Sequence, residues 1–599
     1  MRLLLLISAT ALFIAPPAFA QELNLSRDLQ GLGVSANMEP NRPDVDARPL
    51  FEAALGYIRR QRITRVTLDP GAYFFLTPHA NGRYIHITNL QDVAFAFAGA
   101  HLYFRHTQAL FGIQVVDSDR LTFSGFTVDF MELPFTQVRV AEVRPSERLI
   151  RVEPLPGYRP LTDFNDIRTA TGTLPPLYGL ALRDGTVVLD TGRFEIGRPL
   201  TATTVRAAAE GYQTDPATLA RILPGDTLAV ITRGNQGGAV RVDGGSEIAF
   251  EDVDVYSSHG MGVLFVRVRA ARIERTRVIP RPGTDRLIAT SADGLNLTLA
   301  QSGSVIRDSV VRRTMDDGIA VNSSFMAAVV DSPSPNRLNV RREATQRFEN
   351  GLAVALVNTT SAAEIAGGII VSQNPSYETP IVSAGAVAVE LDRALPAVPR
   401  DTGLVFAEPS ARGLGTVVEN NLVEDVQYAR GIYVAGVIGV TVRGNTIRRT
   451  TSGGIVIWQA MQVPGFAVGP VRDIQIVGNA IEQPIGLGTI ATGSLAALGG
   501  ISVASAVGGR FVTARVNSGV TIVGNRITDS GRSGIWVSSV AGGSIRDNVI
   551  ERHNQRPGMP LVGIAQVEHA QLNVDFTQPV VVRNSDGISV SGNAAQAVP

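Results

Sequence analysis

Three aspartates could carry acid–base chemistry in this chain. Asp293 and Asp317 each precede a glycine and lie 24 residues apart, and Asp316 is the immediate neighbour of Asp317. Carboxylates held this close repel one another, which raises at least one pKa and lets one site hold an acid and a base together. We expect the pair Asp293 and Asp317 to hold and deprotonate a water, while Asp316 protonates a leaving oxygen.

The spacing of such carboxylates is tied to the outcome of hydrolysis. Inversion needs an acid and a base about 6.5–9.5 Å apart, whereas retention needs about 5 Å, which the stacked pair alone would satisfy. An aspartate before a glycine is also ordinary turn chemistry. The equivalent position in other repeats holds Met261, Arg430, Gly453, Gly499, Ser533 and Val562, so the turn does not require a carboxylate. A calcium site and a solvated acidic ladder remain the alternatives.

The elements that position these aspartates are predicted by a repeat. A glycine followed by an aliphatic residue opens an apolar alternation many times, and several of these steps are 23 or 24 residues long. A second marker is an asparagine before an apolar pair, found at Asn421, Asn445, Asn479, Asn525, Asn548 and Asn593. A period near 23 with short strands is typical of a solenoid. We therefore predict an all-β fold, a right-handed parallel β-helix, in which equivalent residues of adjacent coils lie about 4.8 Å apart.

Two stretches interrupt the repeat and divide the chain. Both are rich in alternating apolar residues, which predicts small β-barrels or sandwiches inserted into the helix. A short helix over 44–55 is expected to cap the open end of the solenoid. The predicted organisation is a signal peptide over 1–20, cap and first coils over 21–132, an insertion over 133–233, the coils with the site over 234–324, a second insertion over 325–412, and the last coils over 413–599.

Composition bounds the compartment and the partners. The apolar run after Met1-Arg2 ends in Ala18-Phe19-Ala20, which is typical of a cleaved secretory signal and predicts a periplasmic or secreted protein without a membrane span. Cysteine is absent, so disulfides and thiolate chemistry are excluded. Lysine is also absent, and 54 basic residues balance 54 acidic ones, which gives no reason to expect nucleic acid as a partner.

The region around the aspartates resembles glycoside hydrolase family 110. The resemblance rests on the segments Ser257–Val263, Val278–Arg286, Ala292–Gly294 and Met315–Ile319, with a further match over Val128–Gln137. It implies an inverting exo-α-galactosidase that acts on terminal α-1,3-linked galactose without a cofactor or metal. It also implies that Asp293, Asp316 and Asp317 are catalytic.

Four further residues are candidates for binding the sugar. His259 lies one coil before Asp293, Arg286 lies in the loop leading to it, and Asn322 follows the aspartate pair. Trp458 lies at a strand of a later coil, where an aromatic face could stack on a sugar ring. Arg430 holds the carboxylate position of a later coil, and we expect it to lie several coils away and outside the site. The expected partner is an oligosaccharide or polysaccharide glycan, with a homodimer as a candidate assembly.

Three other functions remain open. Polygalacturonases share the pattern of one Asp and then an Asp pair, but their Arg-x-Lys clamp cannot exist without lysine. A uronate lyase or epimerase would need a base together with a group that neutralises the uronate charge. The third alternative is a non-catalytic solenoid that binds carbohydrate.

Overall fold

The fold is a parallel β-helix with two inserted domains. A computed structural model describes residues 22–80, 82–105, 111–167, 174–188, 191–198, 200–208, 216–232, 237–323, 327–342, 350–358, 364–374, 385–399, 402–460, 469–486, 498–507, 510–557 and 575–596. The predicted signal peptide lies outside these residues. Within them, 33 strands pair into the helix, and strands of successive coils run parallel. The predicted fold class is confirmed.

The strands of the helix fall into three runs separated by the insertions. The first run is Glu22–Asn24, Arg65–Thr67, Gly71–Phe75, Arg83–Thr88, Gln91–Phe104 and Phe111–Phe130. The second is Gly238–Glu251, Asp254–Val255, Met261–Val266, Arg272–Glu274, Arg277–Val278, Leu295–Thr298, Val305–Arg307, Val310–Arg312 and Ile319–Asn322. The third is Val417–Glu419, Leu422–Val426, Ile432–Ala435, Thr441–Arg443, Thr446–Thr450, Ile455–Ala460, Arg472–Val477, Ala480–Glu482, Gly499–Val507, Arg510–Phe511, Asn517–Val523, Arg526–Thr528, Ser533–Ser538, Val540–Arg546, Val549–Glu551, Val580–Arg583, Asp586–Ser591 and Ala594–Gln596.

One α-helix, Ala47–Gln61, covers the first coils. The sequence predicts this capping helix over 44–55, and the observed helix begins three residues later and ends six residues later. It begins after Asp46, whose carboxylate accepts a hydrogen bond from the backbone N–H of Arg48 at 3.1 Å, and such a cap satisfies one of the free N–H groups of the first turn. Its apolar face is buried against the coils. The other helices are short: Gln30–Leu32, Pro145–Glu147, Leu161–Phe164, Pro216–Leu219 and Pro409–Arg412. None of the helices in the described ranges is long and apolar enough to cross a membrane.

The recurring glycines are required by the distance between coils. A Cβ on Gly294 would lie 2.7 Å from the carbonyl oxygen of Gly318 and 2.4 Å from a methyl group of Val311. A Cβ on Gly318 would meet Gly431 and Val423 in the same way. Contacts this short are not tolerated in a close-packed interior. The residue before each glycine therefore lies at an equivalent position in successive coils.

The recurring asparagines form a ladder inside one turn of the helix. The side-chain amide of Asn421 donates to the side-chain oxygen of Asn445 at 2.9 Å, and the same bond continues through Asn479, Asn525, Asn548 and Asn593 at 2.8–2.9 Å. Each of these oxygens also accepts a backbone N–H from the preceding coil. The ladder satisfies polar groups that would otherwise be buried without partners.

The two insertions are antiparallel and pack beside the same part of the helix. The strands of the first form a seven-stranded sheet with its own core: Phe135–Arg144, Leu149–Pro154, Leu177–Arg183, Thr186–Val187, Arg193–Ile196, Thr204–Arg206 and Thr227–Thr232. The second is a closed six-stranded barrel: Ala327–Ser334, Arg337–Arg342, Ala353–Asn358, Glu364–Asn374, Gly385–Leu391 and Thr402–Phe406. The first packs on Ile288 and Met315 of the helix, and the second packs on Leu264 and Val266.

Candidate active site

The three aspartates meet in adjacent turns of the helix. Leu295 pairs with Ile319 across the coils, and the backbone N–H of Gly294 donates to the carbonyl of Asp317 at 3.0 Å, so Asp293 and Asp317 are stacked as the repeat predicts. One carboxylate oxygen from each of Asp293, Asp316 and Asp317 lies within 4.8 Å of the others. The three residues are only 7%, 8% and 3% exposed. The cluster is a buried acidic centre rather than a solvated acidic ladder.

Arg430 neutralises part of this charge, and our expectation that it lies several coils away was wrong. The backbone N–H of Gly318 donates to the carbonyl of Arg430 at 2.9 Å, so Arg430 occupies the coil directly after Asp317. Its guanidinium donates to both oxygens of Asp317, at 2.6 and 2.7 Å. The long sequence separation arises because the second insertion leaves the helix between these two neighbouring coils.

Asp317 titrates in an unusual range because of its surroundings. Burial raises the pKa of Asp317 to about 6, the Arg430 guanidinium opposes this rise, and the neighbouring Asp316 carboxylate adds to it. At neutral pH a carboxyl with a pKa near 6 is ionised by roughly ten to one. Asp317 is therefore a carboxylate that can accept a proton close to physiological pH.

Asp293 is oriented by a chain of polar side chains on the next strand. The side-chain amide of Asn296 donates to Asp293 at 2.5 Å, and the hydroxyl of Thr298 donates to the side-chain oxygen of Asn296 at 2.7 Å. The amide of Asn322 donates to Thr298 at 3.4 Å. The chain therefore fixes the orientation of the Asp293 carboxylate.

Asp316 has a different environment from the stacked pair. Its carboxylate accepts the backbone N–H of Asp317 at 3.2 Å, and its carbonyl accepts the hydroxyl of Thr314 at 2.9 Å. The preceding residue, Met315, is buried against the first insertion. Asp316 is thus fixed between the helix and an inserted domain.

The carboxylates are closer than the separation expected for an inverting pair. Their nearest oxygens are within 4.8 Å, nearer to the value of about 5 Å for retention than to about 6.5–9.5 Å. The stack itself causes this, because adjacent coils are about 4.8 Å apart. One water could still bond to two of the carboxylates, because two O–H···O bonds of about 2.7 Å span up to about 5.4 Å.

His259 and Arg286 both lie on the side of the site that precedes Asp293. The carbonyl of His259 accepts the hydroxyl of Ser291, two residues before Asp293, and its ring packs edge-on against Phe130 with centroids 5.5 Å apart. Arg286 is bound to the buried Asp129 by hydrogen bonds of 2.9 and 3.0 Å. The structure brings His259 beside the turn of Asp293, whereas Arg286 pairs with Asp129, a carboxylate that Arg281 also contacts.

Asn322 and Trp458 lie further along the same face. Ala435 pairs with Asn322, and Trp458 occupies the same register one coil further on, so it lies two coils beyond Asn322. Asn322 is 7% exposed, and its side-chain oxygen has no hydrogen-bond partner within the described part of the chain. Trp458 is 1% exposed and packs edge-on against Phe511 at 5.9 Å. Asn322 therefore offers an acceptor, whereas the ring of Trp458 belongs to an apolar cluster.

The carboxylate oxygens are also close enough to share a cation. Calcium ligands lie 2.3–2.6 Å from the ion, roughly the reach needed to join oxygens less than about 5 Å apart. Both oxygens of Asp317 already bind the guanidinium of Arg430. A cation in the cluster would therefore depend mainly on Asp293 and Asp316.

Two residues of the site were missed from the sequence. Arg430 carries a signal, because it precedes a glycine in the same repeat position as Asp317, but coils cannot be counted across an insertion. Asn296 follows Asp293 by three residues and points from the strand toward it, and nothing in its local pattern distinguishes it from an exposed strand residue.

Comparison with known proteins finds relatives at low identity, and no family model matches the chain. It is 23% identical over 318 residues to α-1,3-galactosidase A of Shewanella woodyi, covering 49% of this chain and 51% of the relative. It is 25% identical over 340 residues to α-1,3-galactosidase B of Akkermansia muciniphila, covering 52% of this chain and 42% of the relative. The aligned part thus spans about half or less of these relatives.

Solved structures also align with most of this chain at low sequence identity. An exopolygalacturonase of Thermotoga maritima is 12% identical, with 89% of this chain and 87% of that chain covered and a TM-score of 0.41. A DFA-IIIase from Arthrobacter chlorophenolicus A6 is 10% identical, with 97% and 99% covered and a TM-score of 0.43. The architecture of the present chain follows from its own strand pairing.

Proposed function

We propose that this protein is an exported glycoside hydrolase that releases terminal α-1,3-linked galactose from a glycan, with inversion. The observation that carries the proposal is the buried cluster of Asp293, Asp316 and Asp317, with one cation, Arg430, at one member. Two carboxyl groups with different proton affinities are what glycoside hydrolysis requires. The similarity to α-1,3-galactosidases supports the choice of sugar.

The contacts of the three aspartates support a division of roles. Asp293 accepts an amide N–H and Asp317 accepts a guanidinium, and both partners favour the ionised carboxylate. These two would hold and deprotonate the attacking water. Asp316 would protonate the leaving oxygen.

The surroundings of the cluster support action on a chain end. The first insertion packs beside Met315, and the barrel packs on Leu264 and Val266, one coil before the strand of Asn296. An apolar cluster around Trp458 and Trp536 lies on the coils beyond. A site bounded on these sides admits a terminal sugar more readily than the middle of a polymer. The side-chain oxygen of Asn322 would accept a sugar hydroxyl.

The activity is tested with nitrophenyl glycosides and galactose-capped oligosaccharides. Release of galactose from α-1,3-galactosides is the expected result, and NMR of the fresh product should show β-galactose first, the anomer formed by inversion. If α-galactose appears first, hydrolysis proceeds with retention and the proposed water mechanism is wrong. An unsaturated product that absorbs in the ultraviolet would show that the protein is a lyase and not a hydrolase.

The site assignment is tested by Asp293→Asn, Asp316→Asn and Asp317→Asn. Each should lower kcat by about 10²–10⁴, the usual contribution of a general acid or base, without loss of the folded state. Asp586→Asn is the matched control, because Asp586 also precedes a glycine but is exposed and paired with Arg515 on the last coils. Retention of full activity by all three variants would remove the cluster from catalysis.

Two further measurements test the remaining parts of the proposal. If the carboxylates instead hold a structural or catalytic cation, dialysis against a chelator will lower activity or the unfolding temperature, and elemental analysis will find the metal. Export is tested by cell fractionation and by N-terminal sequencing of the mature protein, which we expect to begin near Gln21. A protein that keeps its first twenty residues in the cytoplasm would contradict export.

A further inference from the structure

An arginine of the first insertion reaches the turn that carries Asp316. Arg193 begins the strand Arg193–Ile196 and is 8% exposed. Its guanidinium donates to the carbonyl of Met315 at 3.2 Å. It also lies between two aromatic rings, 4.4 Å from the centroid of Tyr178 and 3.8 Å from that of Tyr428. Both rings are within the range of a cation–π contact.

These contacts join three separate parts of the chain. Met315 immediately precedes Asp316, and Tyr428 precedes Arg430 by two residues. Tyr178 belongs to the insertion strand Leu177–Arg183. One side chain therefore touches both the turn that carries Asp316 and Asp317 and the turn that carries Arg430.

Attachment of the insertion to the helix does not explain this arginine. Phe135, Leu180, Leu182 and Ile231 already pack on Ile288 and Met315 in a common apolar cluster. A buried cation costs free energy unless its donors are satisfied, whereas an apolar side chain would fill the same space without that cost. A planar guanidinium, however, can stack on two rings and donate in its own plane at once. The contacts of Arg193 therefore hold the Met315 carbonyl, the Tyr178 ring and the Tyr428 ring in a fixed relative orientation.

We propose that Arg193 is a positioning residue that fixes the turn of Asp316 relative to the turn of Arg430, so that the first insertion completes the active site. The inference rests on the proposed function, since it assumes that Asp316 takes part in the reaction. Arg193 acts through the Met315 carbonyl and the Tyr428 ring. Displacement of a reacting group by about 1 Å can cost roughly 10²-fold in rate.

The test compares Arg193→Ala and Arg193→Lys with a control in the same insertion. Arg183→Ala is the control, because Arg183 lies in the same insertion and pairs with the buried Asp226, and within the described residues its hydrogen bonds go to Asp226 and Arg221 rather than to either turn. Arg193→Ala should lower kcat by about 10²-fold with a much smaller change in KM, on whichever glycoside the wild type cleaves. Arg193→Lys should recover little, because an ammonium cannot stack in the same plane. Added guanidinium at millimolar concentration should restore part of kcat in Arg193→Ala only.

A second measurement does not depend on activity. Hydrogen exchange of the segment 313–319 should become faster in Arg193→Ala and stay unchanged in Arg183→Ala. If exchange is faster in Arg193→Ala but the wild type has no glycosidase activity, the proposed function is wrong, while the positioning of the segment by Arg193 is supported. Unchanged exchange, kcat within about twofold of the wild type, or an equal loss in Arg183→Ala would each overturn the positioning role.

Discussion

Replacement of Arg430 by methionine should change stability in a way that depends strongly on pH. Arg430 and Asp317 are both buried, with side-chain exposures of 9% and 4%, and are joined by two hydrogen bonds. Methionine keeps much of the volume and removes the charge. Removal of one partner of a buried ion pair typically costs about 3–5 kcal/mol, because the other charge is left without compensation.

The sign of the pH dependence follows from the pKa of Asp317. This pKa is raised from 3.8 to about 6 in the folded protein. The folded state therefore binds more protons than the unfolded state between these values, and stability falls as pH rises through this window. About two pKa units, at about 1.4 kcal/mol per unit, correspond to roughly 3 kcal/mol in the wild type.

The variant extends this window upward. Without Arg430 the influence that lowers the pKa of Asp317 is gone, so its pKa lies above 6. The wild type has finished losing this contribution near pH 7, whereas the variant continues to lose stability up to its higher pKa. At pH 5 Asp317 is mostly protonated in both proteins, and the substitution should cost little. The difference between them should grow between pH 6 and pH 8, toward about 3–5 kcal/mol.

Urea unfolding at pH 5, 6, 7 and 8, followed by tryptophan fluorescence, measures this difference. The chain has two tryptophans, Trp458 and Trp536, and both are buried in the coils after the site. Arg443→Met is the matched control, because Arg443 pairs with Glu419 on an adjacent coil but is 56% exposed, and such a pair contributes about 0–1 kcal/mol. A destabilisation of Arg430→Met that is the same at pH 5 and pH 8 would refute the reasoning.

Two further substitutions test the repeat itself. Gly318→Ala places a Cβ 2.7 Å from the carbonyl oxygen of Gly431 and should cost at least about 1–3 kcal/mol in urea unfolding, whereas Gly31→Ala, with no atom within 4 Å of its Cβ, should be near neutral. Asn479→Ala interrupts the asparagine ladder and leaves the buried backbone N–H of Asn445 without its acceptor, at about 1–3 kcal/mol, while the side chain of Asn525 loses one of its donors. Asn593→Ala, at the last rung, should cost less because that side chain is only partly buried, and equal losses at the two rungs would argue against the ladder as a source of stability.

The parts of the site that could be predicted are those that the repeat places. A period of 24 residues puts Asp317 on Asp293, and the requirement for glycine after each fixes their height. Arg430 occupies the same repeat position, but an insertion separates it in sequence from Asp317. The number of residues between them therefore reflects the length of the inserted domain and not the number of coils. Arg193 could not be predicted, since its contacts depend on how an inserted domain packs on the helix. The burial of Trp458 could not be predicted either, because residues outside the repeat, such as Phe511, cover its ring.

The stacking of the coils determines the electrostatic environment of the aspartates as well as their position. Coils about 4.8 Å apart force like charges at one repeat position into contact, and burial increases the free energy of that repulsion. Burial is the main cause of the raised pKa of Asp317, and the neighbouring Asp316 carboxylate adds to the rise. The same repeat position in the next coil supplies Arg430, which partly offsets the repulsion without a dedicated loop. Asp293 and Asp317 occupy the same repeat position but have different environments, since one faces an amide and the other a guanidinium. A regular scaffold thus yields a chemically asymmetric cluster of carboxylates, because Asn296 contacts Asp293 and Arg430 contacts Asp317.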